Sequence, residues 1–250
     1  MLNIKIIAEI GVNHNGKIRR AKKLIDIAKK NKAHFVKFQM FNTTNLVTKN
    51  ANKAGYQNKN DSSKNQYEML KKYQLSEIDL IKLRNYSRKK KINFLVTPFD
   101  NESLDLIIKM KLSYIKISSG DINNYPLLKK IGKQNKKLFL STGMSTNKEI
   151  NNAIKILTSN GTRKKNIVIF QCTSSYPTPN EDANLNVINT FKKIYNHKIG
   201  FSDHTKSTDT PCYAAIMGAE YIEKHITINN NDNGPDHEAS LNIEDFTKMM

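Results

Sequence analysis

The chain has 250 residues, of which 38% are hydrophobic and 25% are charged. This composition suits one globular domain or two small ones and excludes a disordered or collagen-like chain. We predict no membrane span, because no stretch approaches about 18 uninterrupted apolar residues. The 41 Lys and Arg outnumber the 22 Asp and Glu, which gives a formal net charge of +19.

Most of this excess charge is Lys on the polar faces of predicted helices, so we interpret it as a solvated surface and expect no nucleic-acid partner. A basic nucleic-acid-binding protein remains the alternative that the charge itself raises. The two cysteines, Cys172 and Cys212, form neither a disulfide framework nor a metal-type spacing. Because such cysteine usage is typical of a reducing compartment, we expect a cytoplasmic location.

Short runs rich in β-branched residues alternate with longer amphipathic stretches in chain order. The predicted strands cover residues 4–9, 35–39, 94–97, 114–117, 137–141, 167–172, 199–202 and 221–225. The stretches that predict helices include residues 17–31, 76–90, 101–111, 146–160 and 185–195. Eight such repeats in a chain of this length predict an α/β fold of the (β/α)₈ TIM-barrel type. A doubly wound open sheet is the alternative, although no GxGxxG motif follows any predicted strand.

One segment interrupts this alternation. Residues 40–73 are rich in Asn and Lys, and we interpret the region of about 40–75 as a large loop over the catalytic face. Residues 242–250 predict the start of the eighth helix. We therefore predict one TIM-barrel catalytic domain over residues 1–250.

Polar residues follow every predicted strand, at the end of the barrel where such folds hold their active sites. One subset is cationic or hydroxylic and suits a phosphate and a carboxylate: Lys37, Thr97, Lys116, Ser119, Ser141 and Ser202. A second subset consists of His204 and His225 on neighbouring strands, with Glu9 and Asp236 nearby. This subset suits a divalent transition metal with a position left open to substrate.

Each of these residues also has an ordinary structural explanation. Strand-end hydroxyls often cap the next helix, and a single His is more often hydrogen-bonded than metal-bound. Lys116 could pair with Asp121, or could act as a Schiff-base nucleophile as in class I aldolases. The Asn13–Gly16 stretch alone is explained by a turn. The patterns by themselves indicate a metal-assisted lyase or transferase that acts on phosphorylated small molecules.

Several longer motifs occur in the order found in one enzyme family. They are AEIGVNHNG from Ala8, VKFQ from Val36, TPF from Thr97, KISSG from Lys116, STGM from Ser141, CT from Cys172, YPTP from Tyr176, SDHT from Ser202, EKH from Glu223 and GPD from Gly234. Over essentially its whole length the chain resembles the sialic acid synthases, which comprise N-acetylneuraminate synthases and their legionaminate and pseudaminate relatives.

The resemblance implies a TIM-barrel enzyme that condenses phosphoenolpyruvate with an N-acetylated hexose, typically N-acetylmannosamine. The product would be a nine-carbon sialic-acid-type sugar such as N-acetylneuraminate, and phosphate would leave by C–O cleavage. By motif, His204 and His225 would hold Mn²⁺, with Mg²⁺ or Co²⁺ as alternatives. The phosphoenolpyruvate site would contain Lys37, Thr97, Lys116, Ser119, Ser141 and Ser202. The sugar, the metal or the attacking water would face Glu9, Gln39, Tyr176 and Asp236.

Two departures from the family pattern bear on these expectations. Ser174 stands in the substrate-binding motif where family members commonly carry Asn, so a legionaminate-type or pseudaminate-type precursor stays open as the alternative acceptor. The family usually continues into an antifreeze-like C-terminal domain, which contributes an Arg to the partner's sugar site in a swapped homodimer. We expect this domain to be absent from the chain, and the homodimer is therefore a weaker expectation here.

Overall fold

The computed structural model describes residues 4–250, so residues 1–3 of the predicted domain lie outside the described part. Its strands are β1 (Lys5–Gly11), β2 (Phe35–Met40), β3 (Asn93–Pro98), β4 (Tyr114–Ile117), β5 (Lys137–Ser141), β6 (Ile167–Cys172), β7 (Lys198–Asp203) and β8 (Tyr221–His225). They form one parallel sheet in the order β3-β2-β1-β8-β7-β6-β5-β4. Because β3 and β4 also lie side by side, the sheet curves into a nearly closed barrel. The predicted TIM barrel is confirmed, and the open doubly wound sheet is wrong.

Helices cover the outside of this barrel. They are α1 (Ile18–Lys30), α2 (Thr43–Leu46), α3 (Gly55–Asn60), α4 (Gln66–Tyr73), α5 (Glu77–Lys89), α6 (Asn101–Lys109), α7 (Tyr125–Gly132), α8 (Asn147–Ser159), α9 (Asn186–Ile194), α10 (Thr210–Ile216) and α11 (Ile243–Met249). In α1 the buried residues Ala21, Leu24, Ile25 and Ala28 repeat at helical spacing and face the sheet. None of the described helices is long and apolar enough to cross a membrane.

The barrel interior consists of two layers that follow from strand alternation. The lower layer is apolar and contains Ile7, Phe35, Leu95, Phe139, Val168 and Phe170, with Tyr114 and Tyr221 packed against them. Since side chains two residues apart point to the same face of a strand, the next inward positions lie one layer higher. Those positions are polar, as shown by Glu9 above Ile7, Lys37 above Phe35 and Lys116 above Tyr114.

The segment between β2 and α5 is not the plain loop that its composition predicts, because it contains α2, α3 and α4. Two of these helices have an N-cap residue whose side chain accepts a backbone N–H, Asn42 for α2 and Asn65 for α4. Met69 and Tyr73 of α4 are buried in a small apolar cluster with Val12 and Phe41, next to the upper end of the barrel. These contacts place α4 beside the residues that follow β1 and β2.

Candidate active site

A cavity of about 340 Å³ opens at the carboxyl ends of the strands. Almost all of the predicted site residues line it, namely Glu9, Lys37, Gln39, Thr97, Lys116, Ser119, Ser141, Ser174, Tyr176, Ser202, His204 and His225. Asp236 is the exception, and its Oδ2 lies 3.9 Å from His225 Nδ1 at the edge of this group. The barrel therefore brings residues from all eight strands or their following loops to one place.

Two buried lysines and two buried glutamates form the floor of the cavity. Lys116 Nζ lies 2.9 Å from both carboxylate oxygens of Glu223. Lys37 Nζ lies 2.9 Å from Glu9 Oε1 and 3.6 Å from Glu223 Oε1. The suggested pairing of Lys116 with Asp121 is wrong, because Asp121 instead accepts hydrogen bonds from Ser118 and Asn124. Glu223 thus links both lysines across the barrel.

The electrostatics of this floor follow from burial and from charge pairing. Burial alone would raise the pKa of Glu223, but the facing Lys116 and Lys37 ammonium groups outweigh it and lower that pKa to about 2. Burial also opposes the charged form of Lys37, but Glu223 and Glu9 outweigh it and raise the pKa of Lys37. For Lys116 burial prevails over the attraction of Glu223, so its pKa is lowered. The floor is therefore a compensated cluster whose cations face a potential anionic ligand.

Hydroxyl groups surround these cations. Thr97 Oγ1 accepts from Lys37 Nζ at 3.3 Å, and Ser202 Oγ donates to Glu223 at 2.9 Å. Ser119 Oγ accepts the Gly143 N–H at 2.9 Å. The buried Ser141 Oγ has no hydrogen-bond partner among the described residues. A buried hydroxyl without a partner costs free energy, so a ligand that accepts from Ser141 would satisfy it.

The two imidazoles lie at the upper end of β7 and β8, with ring centroids 5.6 Å apart. His204 Nδ1 donates to the Thr173 carbonyl at 2.7 Å, and His204 Nε2 lies 3.0 Å from the Tyr176 hydroxyl, from which it accepts when the ring is neutral. His225 Nδ1 is buried and has no hydrogen-bond partner among residues 4–250. Burial, followed by the charges of His204 and Lys37, holds the pKa of His225 well below its usual value, so its imidazole is neutral.

Two carboxylates border the imidazoles. Glu9 is fully buried, and its Oε1 accepts from Lys37 and from Gln39 Nε2, the latter at 3.1 Å. Burial, together with the nearby negative charge of Glu223, raises the pKa of Glu9 against the opposing effect of Lys37. Burial followed by the charge of Glu9 raises the pKa of Asp236 to about 7. Asp236 is therefore the carboxylate whose pKa suits proton transfer near neutral pH.

Comparisons with known proteins identify the family. The model of the NeuB family matches residues 24–250. The N,N'-diacetyllegionaminic acid synthases of Campylobacter jejuni and Legionella pneumophila are 45% and 39% identical to the chain. Each alignment covers 98% of the chain, with 73% of the Campylobacter protein and 70% of the Legionella protein. The chain belongs to the NeuB family.

A solved structure supports the same assignment. The N-acetylneuraminic acid synthetase of Leptospira borgpetersenii, solved with citrate, superposes with a TM-score of 0.87 at 32% identity. The superposition covers 98% of the chain and 81% of that protein. The resemblance found in the motifs is confirmed, and this NeuB-family chain is an enzyme of the sialic acid synthase type. The individual roles given to its site residues stay predictions.

The residues of this NeuB-family site fit a divalent metal held by two imidazoles. The buried Nδ1 of His225 lacks a partner among the described residues, and the ring of His204, whose Nε2 contacts the Tyr176 hydroxyl, lies 5.6 Å from the His225 ring between centroids. Within residues 4–250, no three His, Cys, Asp or Glu side chains are grouped so that they alone could hold an ion. Such a site would therefore take its remaining ligands from water or substrate, which keeps it open for catalysis.

Several residues that line the cavity, among them Glu223 and Tyr56, are not among the predicted site residues. Glu223 could have been found from strand alternation, because it lies two positions before His225 and must face the same side. Tyr56 of α3 stacks on Tyr176 with ring centroids 5.6 Å apart, and Tyr176 in turn stacks on His204 at 4.1 Å. No local sequence pattern predicts that Tyr56 lies in the cavity, because its contact with Tyr176 joins residues 120 positions apart in the chain.

Proposed function

We propose that this protein condenses phosphoenolpyruvate with an N-acetylated hexose and water to give a nine-carbon sialic-acid-type sugar and phosphate. The observation that supports this most is the vertical order of the cavity. Two cations surrounded by hydroxyls lie at its floor, and two imidazoles lie at its mouth, with Asp236 at the edge beside His225. An anionic enol phosphate and an uncharged aldehyde would find matching groups at these two levels.

The floor would bind phosphoenolpyruvate. Lys37 and Lys116 would supply positive charge, and the unpartnered Ser141 hydroxyl together with Ser119 and Ser202 would supply directed hydrogen bonds. Because Glu223 already compensates both lysines, they can stay charged while buried. The enol would thus be held with its C3 towards the mouth of the barrel.

The mouth would position the acceptor. His204 and His225 would hold the divalent metal, for which we propose Mn²⁺, and the bound metal would act as a Lewis acid on the acceptor's aldehyde. Gln39, Ser174 and Tyr176 line this part of the cavity and would contact the sugar. The bond between C3 and the aldehyde carbon would then form, and the aldehyde oxygen would take a proton from protonated Asp236 to become a hydroxyl.

Asp236 would serve as the base for the second half of the reaction. Water would add to C2, where positive charge develops, and would lose one proton to the Asp236 carboxylate. The C2–O bond to phosphate would then break as the new C2 hydroxyl becomes a carbonyl, and the proton of that hydroxyl would leave with the phosphate. Glu9 is less suited to this role, because one of its oxygens is engaged by Lys37 and Gln39. With its pKa raised to about 7, Asp236 can take up and return a proton near neutral pH.

For the acceptor we propose a hexose with two acetamido groups, the class that yields the products named in the two legionaminic acid synthases. N-acetylmannosamine is the second candidate, since the superposed Leptospira structure is named as an N-acetylneuraminic acid synthetase. Ser174, which is smaller than the Asn common at this position, supports a difference in the acceptor site. A Cβ at the neighbouring Gly143 would overlap the Ser174 hydroxyl, so this corner of the site is tightly packed.

The test is incubation with phosphoenolpyruvate, Mn²⁺ and each candidate acetamido hexose in H₂¹⁸O, followed by mass spectrometry of the sugar and the phosphate. We expect a nine-carbon product and phosphate without ¹⁸O, because C–O cleavage leaves the phosphate oxygens intact. Label in the phosphate would contradict the mechanism. Borohydride trapping of a substrate on Lys116 would instead favour the Schiff-base aldolase.

A further inference from the structure

The turn after β1 does more than reverse the chain. Asn13, in the stretch that the sequence explains as a simple turn, is only 1% exposed. Its Nδ2 donates to the Ile226 carbonyl at 2.9 Å and to Ser240 Oγ at 2.8 Å. Both partners belong to the segment after β8, more than 200 residues away in the chain. The turn is therefore bonded directly to the segment that carries Asp236.

Ser240 passes this contact on to Asp236. Its buried hydroxyl donates to the Asp236 backbone carbonyl at 2.6 Å while it accepts from Asn13. The single hydroxyl hydrogen and one lone pair are thus both used, which fixes the orientation of the Ser240 side chain. Asn13, Ser240 and Asp236 form a continuous relay of hydrogen bonds.

A second contact holds the other side of the same segment. His237 Nε2 donates to Asn15 Oδ1 at 2.9 Å, and its Nδ1 accepts from the Thr227 hydroxyl at 2.7 Å. Asn13 and Asn15 therefore contact the chain on both sides of Asp236. Backbone hydrogen bonds hold the ends of this segment, where Leu241 pairs with His225 and Thr227. The residues around Asp236 depend on side-chain contacts such as these.

The same turn also leaves room for the carboxylate. Gly11 adopts a φ of +51°, and a Cβ there would lie 3.1 Å from Glu9 Oε1 and 3.5 Å from Asp236 Oδ2. A side chain at Gly11 would therefore crowd the Glu9 carboxylate, whereas Asp236 Oδ2 would lie at ordinary contact distance from the same point. Any movement of the turn relative to the segment after β8 would change the distance between Asp236 and that point.

The buried side chain of Asn13 carries an energetic cost. Its Oδ1 is buried without a hydrogen-bond partner among the described residues. An unsatisfied buried carbonyl of this kind costs about 1–3 kcal/mol. The side chain is therefore held by its two donated bonds, which are the bonds that connect the two segments.

We propose that Asn13 and Ser240 are positioning residues, which fix the Asp236 carboxylate at the reaction centre through this relay. The inference rests on the proposed function, in which Asp236 handles the attacking water. Catalytic groups must be held within about 0.5 Å of their productive position, and a 1 Å misplacement can cost about 100-fold in rate. The relay provides this precision for a residue that lies outside the regular strands.

The experiment measures kcat and the KM for phosphoenolpyruvate in Asn13→Ala, Ser240→Ala and Asp236→Asn, and in the double variants with Asp236→Asn. We expect each relay variant to lose about 10- to 100-fold in kcat. The KM for phosphoenolpyruvate should change less than about threefold, because its proposed ligands lie on the barrel floor. In the Asp236→Asn background the relay variants should cost no more than about twofold further, since the group that they position is gone. If the relay variants lose as large a factor in kcat in the Asp236→Asn background as in the wild type, the proposal is overturned.

A matched control is Thr162→Val, which removes a buried hydroxyl-to-carbonyl bond of 3.0 Å to Gly132 away from the cavity. It should lose stability comparable to Ser240→Ala without loss of kcat. Hydrogen exchange adds a readout that needs no activity: residues 236–240 should exchange faster in Asn13→Ala and Ser240→Ala than in wild type. Unchanged exchange there would refute the relay even if the wild type proves inactive. Wild-type protein without condensing activity would instead refute the proposed function and, with it, the catalytic part of this inference. If Asn13→Ala does not fold, the milder Ser240→Ala carries the test.

Discussion

The two layers of the barrel interior are built on the same strands, yet they differ completely in chemistry. The lower layer is formed by aromatic and aliphatic side chains, with Phe139 in contact with Phe35, Phe170 and Tyr221. The upper layer, two residues further along β1, β2, β4 and β8, contains the Lys37, Glu9, Lys116 and Glu223 cluster. Apolar side chains that stabilise the barrel and polar side chains that line the cavity are thus only two residues apart on the same strand.

This separation carries an energetic asymmetry. The lower layer gains free energy from apolar burial, whereas the upper layer must compensate the desolvation of four ionisable groups. Lys116 links the two layers, because its Nζ lies 4.9 Å from the centre of the Phe170 ring as well as 2.9 Å from Glu223. Variants of each layer should therefore affect different measured quantities.

The largest expected effect is on turnover, in His225→Ala. A Lewis-acid metal supplies several kcal/mol of transition-state stabilisation, so we expect a loss of about 1,000-fold in metal-dependent turnover. The melting temperature should fall moderately, because the variant removes a buried ring that packs on Tyr176 and His204, although the lost Nδ1 makes no hydrogen bond. Phosphate release and thermal melting, each with and without chelator, check both parts.

The control for this variant is His34→Ala. His34 Nδ1 accepts the Ile6 N–H at 3.1 Å near the start of β1, away from the cavity. This variant should lower the melting temperature and leave turnover intact. Phosphate release that continues undiminished in metal-stripped His225→Ala would contradict the assignment of His225.

The second prediction reverses these quantities in the lower layer. Phe139→Ala removes a fully buried ring, and we expect it to lower the free energy of unfolding by about 4 kcal/mol. Turnover below the melting transition should stay near the wild-type value, since Phe139 lies outside the cavity. Urea unfolding and kinetics at low temperature test this. A variant that keeps its stability but loses turnover would break the division between the layers.

The third prediction concerns the compensation within the upper layer. Glu223→Gln leaves Lys116 buried without its carboxylate, and we expect a loss of about 3 kcal/mol in the free energy of unfolding. Phosphoenolpyruvate should then raise the melting temperature of the variant more than that of the wild type, because the ligand supplies the missing negative charge. An equal or smaller ligand shift would show that the lysines do not face the anion.

The matched control for Glu223→Gln is Glu220→Gln. Glu220 pairs with Lys198 at the surface near the start of the same strand, and both side chains are about half exposed. Exposed pairs contribute about 0–1 kcal/mol, so this variant should change the stability little. The difference between the two variants isolates the contribution of burial.

The barrel itself is predictable from the sequence because its signals are local. Continuous β-branched runs and polar strand ends place all eight strands within two residues of their observed ends, and β4, β5, β6 and β8 match the prediction at both ends. The same register predicts which side chains meet at the mouth. Glu223 belongs to the EKH motif and is not among the predicted site residues, although its spacing from His225 assigns its side chain to the barrel interior.

The remaining parts depend on contacts between distant residues. Helices α2, α3 and α4 lack a clear apolar period, and each is shorter than isolated helices that are stable in water. They form because caps such as Asn65 and a few buried residues such as Tyr73 tie them to the barrel. The relay from Asn13 to Ser240 and the stacking of Tyr56 on Tyr176 likewise join separate segments, so no local pattern indicates them.

The smallest expected effect concerns Asp61, a buried carboxylate in the segment between β2 and α5. The Asp61 carboxylate accepts from the Tyr73 hydroxyl, from Lys72 Nζ at 3.1 Å and from the Ser63 N–H at 2.8 Å. Burial alone would raise the pKa of Asp61, but the hydrogen bonds from Ser63, Tyr73 and Lys72 outweigh it and hold that pKa well below its usual range. Unlike Glu223, this carboxylate has no place in the cavity.

We therefore expect Asp61→Asn to lower the free energy of unfolding by about 1–2 kcal/mol at pH 7, with little change in turnover. Because the folded-state pKa is depressed, the stabilisation is present above the unfolded pKa of about 4 and is lost as the pH falls towards the folded value. In urea unfolding, the difference in the free energy of unfolding between wild type and Asp61→Asn should thus shrink between pH 5 and pH 3, by the amount expected for one carboxylate with a depressed pKa. The exposed Asp105, paired with Lys130, gives a control whose replacement by Asn should cost less than about 0.5 kcal/mol at pH 7. A difference for Asp61→Asn that grows on acidification would show that the carboxylate is strained rather than stabilised by its donors.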